Sequence, residues 1–401
     1  MSEVRWQRNV YAVTAASFLG YTGFTVVMPF LPLFIGQLGV SDTGAIAVWT
    51  GISLGVTPGL TAVLAPAWGK LGDRFGRKIM VERSLVSFVV LMAAMAFVTR
   101  PWHVVALRIV QGLFAGYGSL SVAMAAESAP RDRMPAAIGL VQTAQRLGPG
   151  VGPVIGGLLA GVFGLRPAFI VTALFYAAAL VIIFLRYDDR ATHAYAETPD
   201  VPGRHVTFQD VLSFQNFILM MAVIFGLQFV DRSFGPILPL YIEQIGVAHE
   251  RIAIVSGVLF SIMAATGALG HHLCGKLLAR YSTRAVITSA AIVGAVASLL
   301  FVSTHVWLIA IASACFGVGI GAAMTASFSA AGRVIPHGAH GTSFGVLTSA
   351  SLTGMAISPF FAGFVGGSSI RVVFLVNVAI MLVCALAVRR SMVGEHAASV
   401  G

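Results

Sequence analysis

The sequence predicts an all-α integral membrane protein of twelve transmembrane helices, built as two parallel six-helix repeats. Three observations predict it: too few charges for a water-facing surface, twelve apolar runs of spanning length, and an internal repeat at a near-constant offset. Of 401 residues, 57 % are hydrophobic and 10 % charged, whereas a soluble domain carries about a quarter charged. Water cannot solvate the outside of so large a globule, so lipid must. The net charge of +10 does not signal nucleic acid, because the basic residues sit in short loops between apolar runs, the usual pattern of membrane proteins. Cys274, Cys315 and Cys384 lie within apolar stretches and show no metal or disulfide spacing, so they read as packing residues. No metal or other cofactor is expected.

The spans follow in order. Arg5 and Arg8 precede an apolar run over 10–35 that is too long for a cleaved leader and long enough to cross a bilayer. Runs at 46–68, 79–99, 103–127, 135–162 and 167–186 complete a first bundle, residues 1–186. The longest polar interval, 187–214, holds Asp188, Asp189, Arg190, Asp200 and Arg204 and reads as a cytoplasmic linker. Runs at 216–242, 252–275, 284–303, 306–331, 341–365 and 371–389 form a second bundle within 215–401. With the N-terminus placed in the cytoplasm, 18 of the 25 Lys and Arg fall on cytoplasmic segments, four (Arg100, Arg166, Arg251, Arg371) fall outside, and three (Arg108, Arg146, Arg232) lie within spans. The excess predicts that both termini are cytoplasmic.

The two bundles repeat one another. PFLPLFIGQLGV, Pro29–Val40, returns as PILPLYIEQIGV, Pro236–Val247, 207 residues on. GKLGDRFGRK at Gly69–Lys78 returns as GKLLARYSTR at Gly275–Arg284, and Gly148/Gly354, Pro153/Pro359, Gly157/Gly363 and Gly161/Gly367 share the same offset of 206. Six spans separate the copies, so both start on one side. Parallel repeats of this kind place a substrate site between the halves near the midplane.

These motifs resemble the major facilitator superfamily along essentially the whole chain. Gly69, Asp73, Arg74, Gly76, Arg77 and Lys78 are similar to its loop signature between the second and third spans. Arg108, Gln111 and Gly112 resemble its fourth-span motif. LGPGVGPVIGG, with Gly148, Pro149, Gly152, Pro153, Gly156 and Gly157, resembles the fifth-span motif of the antiporter branch. With VMPFLPLFI in the first span, the pattern looks like the twelve-helix bacterial drug/proton antiporters. The resemblance implies proton-coupled export of lipophilic or drug-like molecules by alternating access, across a cell inner membrane, by a monomer. In the second copy Ala279 and Ser282 replace the equivalents of Asp73 and Gly76, so any gating role carries to residues 69–78 alone.

The residues themselves suggest roles. Gly72 and Gly76 permit the sharp reversal the loop needs, and Asp73 is placed to latch the cytoplasmic gate; the alternative is that Lys70, Arg74, Arg77 and Lys78 simply fix topology. A charge at a span centre costs about 2.5–3.5 kcal/mol on insertion scales, so each needs a partner or a task. Asp231 is the acid well inside a span and is the proton-coupling candidate, with Arg108 at similar depth and Glu127 at the cytoplasmic end of the fourth span. A static pair of Asp231 with Arg232 or Arg108 is the rival reading. Tyr21, Phe24, Met28 and Gln111 are candidates for lining a substrate cavity, as are Gln142, Arg146, Gln228 and Arg232; packing or lipid contact is the plainer role for the apolar ones. Arg146 suits an anionic group or a balance for Asp231, and His271 and His272 form a weaker proton relay.

There is no phosphate loop ending in Lys-Ser/Thr, no Ser-His-acid arrangement and no metal spacing, so an enzyme is not expected. Export of sugars or metabolites, or of anionic amphiphiles such as lipids, stays open, as does a nontransporting scaffold.

Overall fold

A computed structural model describes residues 3–130, 133–188, 214, 216–335 and 340–392. Among them every regular element is an α-helix. The first bundle comprises α1 (Glu3–Val26), α2 (Leu31–Gln37), α3 (Thr43–Phe75), α4 (Arg77–Met95), α5 (Pro101–Leu113), α6 (Tyr117–Ser128), α7 (Met134–Phe163) and α8 (Leu165–Arg186). The second comprises α9 (Phe217–Gln244), α10 (His249–Leu278), α11 (Thr283–Leu300), α12 (Val306–Val334), α13 (His340–Ser368) and α14 (Ile370–Ser391).

Twelve spans result, two of them broken. The first span is α1 and α2, bent by 48°. The fourth is α5 and α6, interrupted at Phe114–Gly116, where Gly116 adopts φ +108°. Arg83 of α4 donates to the freed carbonyls of Phe114 and Ala115 at 3.2 and 2.9 Å, and its guanidinium lies 3.7 Å from the Trp68 ring. The break is thus hydrogen-bonded rather than abandoned in a place without water. Ten helices are long and apolar enough to cross a membrane, the bent pair adds an eleventh, and α4 is the twelfth. Its first seven residues hold Arg77, Lys78, Glu82 and Arg83, which weakens its apolar signal. Val63, Phe97, Leu174, Phe184 and Val383 are exposed on outer faces, the surface acyl chains require.

Two ends can be distinguished by the glycines that turn there. At one end Gly39 (φ +94°) and Gly246 (φ +91°) terminate the paired sequences of the repeat in the same left-handed conformation, and Gly164 (φ +90°) joins α7 to α8. At the other end Gly76 (φ +92°) joins α3 to α4. The reversal expected of both Gly72 and Gly76 falls on Gly76 alone. Gly72 is helical and makes room instead: a Cβ there would stand 2.8 Å from Leu120 Cδ2. In the second copy Ser282 does not imitate Gly76; its hydroxyl caps α11 by accepting from Ala285 N at 3.3 Å. The side chains of Gly69's neighbour Lys70 and of Asp73, and residue Gly69 beyond its helical backbone, lie outside the described residues. So does residues 189–213 of the expected linker.

The Gly/Pro register of α7 separates into two faces. A Cβ on Gly148, Gly152 or Gly156 would collide with α1 at Thr22, Thr25 and Val26. A Cβ on Gly157 or Gly161 would collide with α10 of the other bundle, at Ala253 and Ile254, and Gly257 of α10 meets Pro153. The repeat partners in α13 divide identically: Gly354 abuts α9 at Phe225 and Phe229, while Pro359, Gly363 and Gly367 abut Gly51, Ala47 and Gly44 of α3. Small residues allow such close backbone approach. Both cross-bundle seams lie toward the Gly164 end. Toward the Gly76 end Gly139, Gly275 and Gly345 have nothing within 4 Å of a Cβ, and Gln142, Thr143, Ser349 and Thr353 are exposed. The bundles therefore touch at the Gly164 end and diverge at the Gly76 end.

Candidate functional site

Where the bundles part, just beneath the α3–α13 seam, lies a small, partly open cavity. Phe24 enters it from α1, Met28 from the break between α1 and α2, Leu54 and Thr57 from α3, Arg108 from α5, Arg232 from α9 and Met355 from α13. Both bundles therefore contribute to one space. Four of the expected residues, Phe24, Met28, Arg108 and Arg232, are brought together here.

Local structure fixes each of them. Gly112 allows α3 to lie against α5, since a Cβ there would be 2.8 Å from Leu60 Cβ, and Thr57 Oγ1 donates to the Arg108 carbonyl at 2.8 Å. Arg108 is 3 % exposed and its Nη1 donates to Gln111 Oε1 at 2.9 Å. Its Nε has no hydrogen-bond partner. Tyr176, fully buried in α8, is close enough to interact electrostatically with the guanidinium.

Asp231 Oδ2 lies 3.3 Å from Arg232 Nε, and both side chains are half-buried. The contact is an ion pair whose N–H is not aligned for a hydrogen bond. Tyr21 sits within electrostatic reach of Arg232 and stacks loosely on Tyr117, ring centroids 6.4 Å apart. Gln228 packs at Gly354, where α9 meets α13.

The other expected residues lie away from the cavity. Gln142 and Arg146 are exposed on α7 in the diverging region. Arg146 is electrostatically coupled to His271 of the opposite bundle, whose Nδ1 is 2.6 Å from Thr325 Oγ1. Glu127 ends α6 and meets Arg77 at 3.0 Å, so it stands with the 69–78 segment. Lys78 Nζ donates to the Tyr187 carbonyl at 2.8 Å, tying that segment to the end of the sixth span, and Arg74 lies over the Phe75 ring at 5.2 Å. Leu54, Thr57 and Met355 were not anticipated. The hydroxyls of Ser53 and Thr57 within an otherwise apolar run are the signal that marks the α3 face. Among the described residues no group of His, Cys, Asp and Glu is arranged to hold a metal.

Comparison with known proteins agrees with this architecture. A sequence profile described as Major Facilitator Superfamily matches residues 13–305 and 255–400. The multidrug resistance protein MdtG of Dickeya zeae (strain Ech586) is 30 % identical over 394 residues, covering 95 % of this chain and 93 % of that protein. The multi-drug resistance efflux pump PmrA homolog of Lactococcus lactis subsp. lactis (strain IL1403) is 31 % identical, covering 71 % and 69 %. Among solved structures, a bacterial homolog of the human lysosomal transporter Spinster, inward-facing and unoccupied, superimposes with TM-score 0.79 at 15 % identity, covering 98 % of each chain. Twelve helical spans in two repeated bundles, a cavity shared between them and this profile match together establish that the chain belongs to the Major Facilitator Superfamily and is a multi-pass membrane transporter.

Proposed function

We propose that the protein exports drug-like amphiphilic molecules in exchange for protons, acting as a monomer in a bacterial inner membrane. The observation that carries the reading is the cavity lined from both bundles directly beneath a glycine-lined seam that closes one end only. The relatives named for multidrug resistance and efflux favour export over uptake.

The basic residues gather at the Gly76 end, so that end faces the cytoplasm, the termini with it, and the arrangement is inward-open. Substrate enters between α7 and α10 or α3 and α13, reaches the cavity, and leaves when the two seams part. The 69–78 segment, tied to Glu127 and Tyr187, then closes the cytoplasmic end. Asp231 is the group whose charge can change during the cycle, since arginine stays protonated. Its proton uptake releases Arg232.

Proteoliposomes with an imposed pH gradient test the reading. Gradient-driven movement of a fluorescent dye, accompanied by proton flux in the opposite direction, is expected. A dye flux indifferent to the gradient would reject antiport. A cysteine replacing Ser349, in a chain whose own cysteines are changed to serine, is expected to react with a membrane-impermeant thiol reagent from the cytoplasmic side; reaction from the other side alone would reverse the orientation.

A further inference from the structure

We infer that the central cavity binds an acidic group of the transported amphiphile, a carboxylate, sulfonate or phosphonate held between Arg108 and Arg232. The inference deepens the export reading above and rests on it. Its basis is an unmatched count of charge and of donors around one shared cavity. Arg108 is 3 % exposed, cannot shed its proton and forms no ion pair with any carboxylate among the described residues. A guanidinium buried this way is unfavourable unless it is paired and hydrogen-bonded. Gln111 satisfies one donor; Nε has no partner.

Arg232 faces the same cavity. Asp231 offsets its charge, yet the 3.3 Å contact leaves Arg232 Nε unaligned. Two guanidiniums and one carboxylate leave the site with a net positive charge and with donors in fork geometry, which match an oxyanion bidentately. Phe24, Met28, Leu54 and Met355 supply the wall for an apolar body, and methionines adapt to varied shapes. A lipophilic cation in the same place would meet two fixed positive charges, with the one nearby carboxylate among the described residues, Asp231, already engaged.

Two pyrene probes of one shape and opposite charge test this: 1-pyrenebutyrate and 4-(1-pyrenyl)butyltrimethylammonium. Binding to the purified full-length protein is measured by equilibrium dialysis against protein-free micelles. The butyrate is expected to bind more tightly, and Arg108→Gln and Arg232→Gln are each expected to weaken it about tenfold, the usual loss for a hydrogen bond to a charged group, with the ammonium probe unaffected or improved. Arg108→Lys, which keeps charge without the fork, should fall between. Should Arg108→Gln fail to fold, Arg232→Gln at its half-exposed position carries the same test. Equal or tighter binding of the ammonium probe, or variants that leave butyrate affinity unchanged, overturns the assignment. Dioleoylphosphatidylglycerol that displaces the butyrate assigns the acidic group to a lipid; failure to displace assigns it to a soluble amphiphile. Gradient-driven transport of the ammonium probe without butyrate binding overturns the acidic site and leaves export standing. Butyrate binding without transport of either probe supports the site and rejects export, and neither binding nor transport rejects both.

Discussion

The Asp231 carboxylate engages the guanidinium of Arg232, its neighbour in α9, at 3.3 Å, and Arg108 instead bonds Gln111. Of the two pairings open to Asp231 on sequence, the adjacent one is formed. A static pair and a proton carrier now make different predictions. Replacing both members of a fixed pair by neutral residues is often tolerated, whereas removing one strands a charge. If Asp231 carries the proton, Asp231→Asn abolishes gradient-driven efflux and the double change Asp231→Asn/Arg232→Gln does not restore it, while Asp231→Glu retains it. Efflux and proton flux in everted vesicles distinguish the cases; full recovery in the double variant would reduce Asp231 to a structural role.

Arg77 and Glu127 meet at 3.0 Å with side chains 25 % and 41 % exposed. Pairs so exposed contribute about 0–1 kcal/mol, so Glu127→Gln should scarcely alter thermal stability. It should nonetheless lower the transport rate, because the pair holds the start of α4, and with it the 69–78 segment, against the end of α6. The charge-reversed pair Arg77→Glu/Glu127→Arg is expected to recover part of the rate. Equal rates in all three proteins would leave the contact as a topological ornament of the loop.

The fold was legible in the sequence because its determinants are repetitive and chemical. The lipid-facing surface needs long apolar runs, and duplicated backbone contacts need the same glycine at the same offset, as Gly157 and Gly363 illustrate. The two broken spans were not legible. Phe114–Gly116 is an apolar stretch with one glycine, and its break depends on Arg83, thirty-one residues earlier, reaching the Phe114 carbonyl. The site was legible in part. Phe24, Met28, Arg108 and Arg232 converge, but Gln142 and Arg146 fall below the cavity, because the angle between the bundles, set by seams at one end, decides depth. Sequence order carries no such angle.

Arg83 joins Trp68, Phe114 and Ala115, and so spans α3, α4 and the broken fourth helix. Arg83→Lys keeps the charge but cannot reach two carbonyls and stack on an indole together. A loss of about 1–3 kcal/mol is expected from the two freed carbonyls and the lost stacking, read as a lowered melting temperature, with Arg83→Gln at least as severe. An unchanged melting temperature in both would mean that the break is held by packing around Gly116 alone.

The α7 glycines allow one final distinction, between packing within a bundle and closure between bundles. A Cβ on Gly156 would meet Val26 of the same bundle, one on Gly157 would meet Ala253 of the other, and one on Gly150 would stand clear of every neighbouring helix. An added methyl in a filled space costs about 1–3 kcal/mol, but what that destabilises differs. Gly156→Ala strains every conformation, because α1 and α7 belong to one bundle, so thermal stability falls. Gly157→Ala strains only the conformation in which α7 and α10 meet, so it shifts the population toward the state open at the Gly164 end, and Gly363→Ala should do the same at Ala47. Gly150→Ala is silent. Thiol accessibility on the two sides of the membrane reads the shift: cysteines replacing Ser349 and Thr353 should become less reactive from the cytoplasm in the Gly157→Ala and Gly363→Ala proteins and remain unchanged in Gly150→Ala. A seam that tolerated both methyls without any change in accessibility would not be the element that opens, and the transport cycle would have to work through another contact.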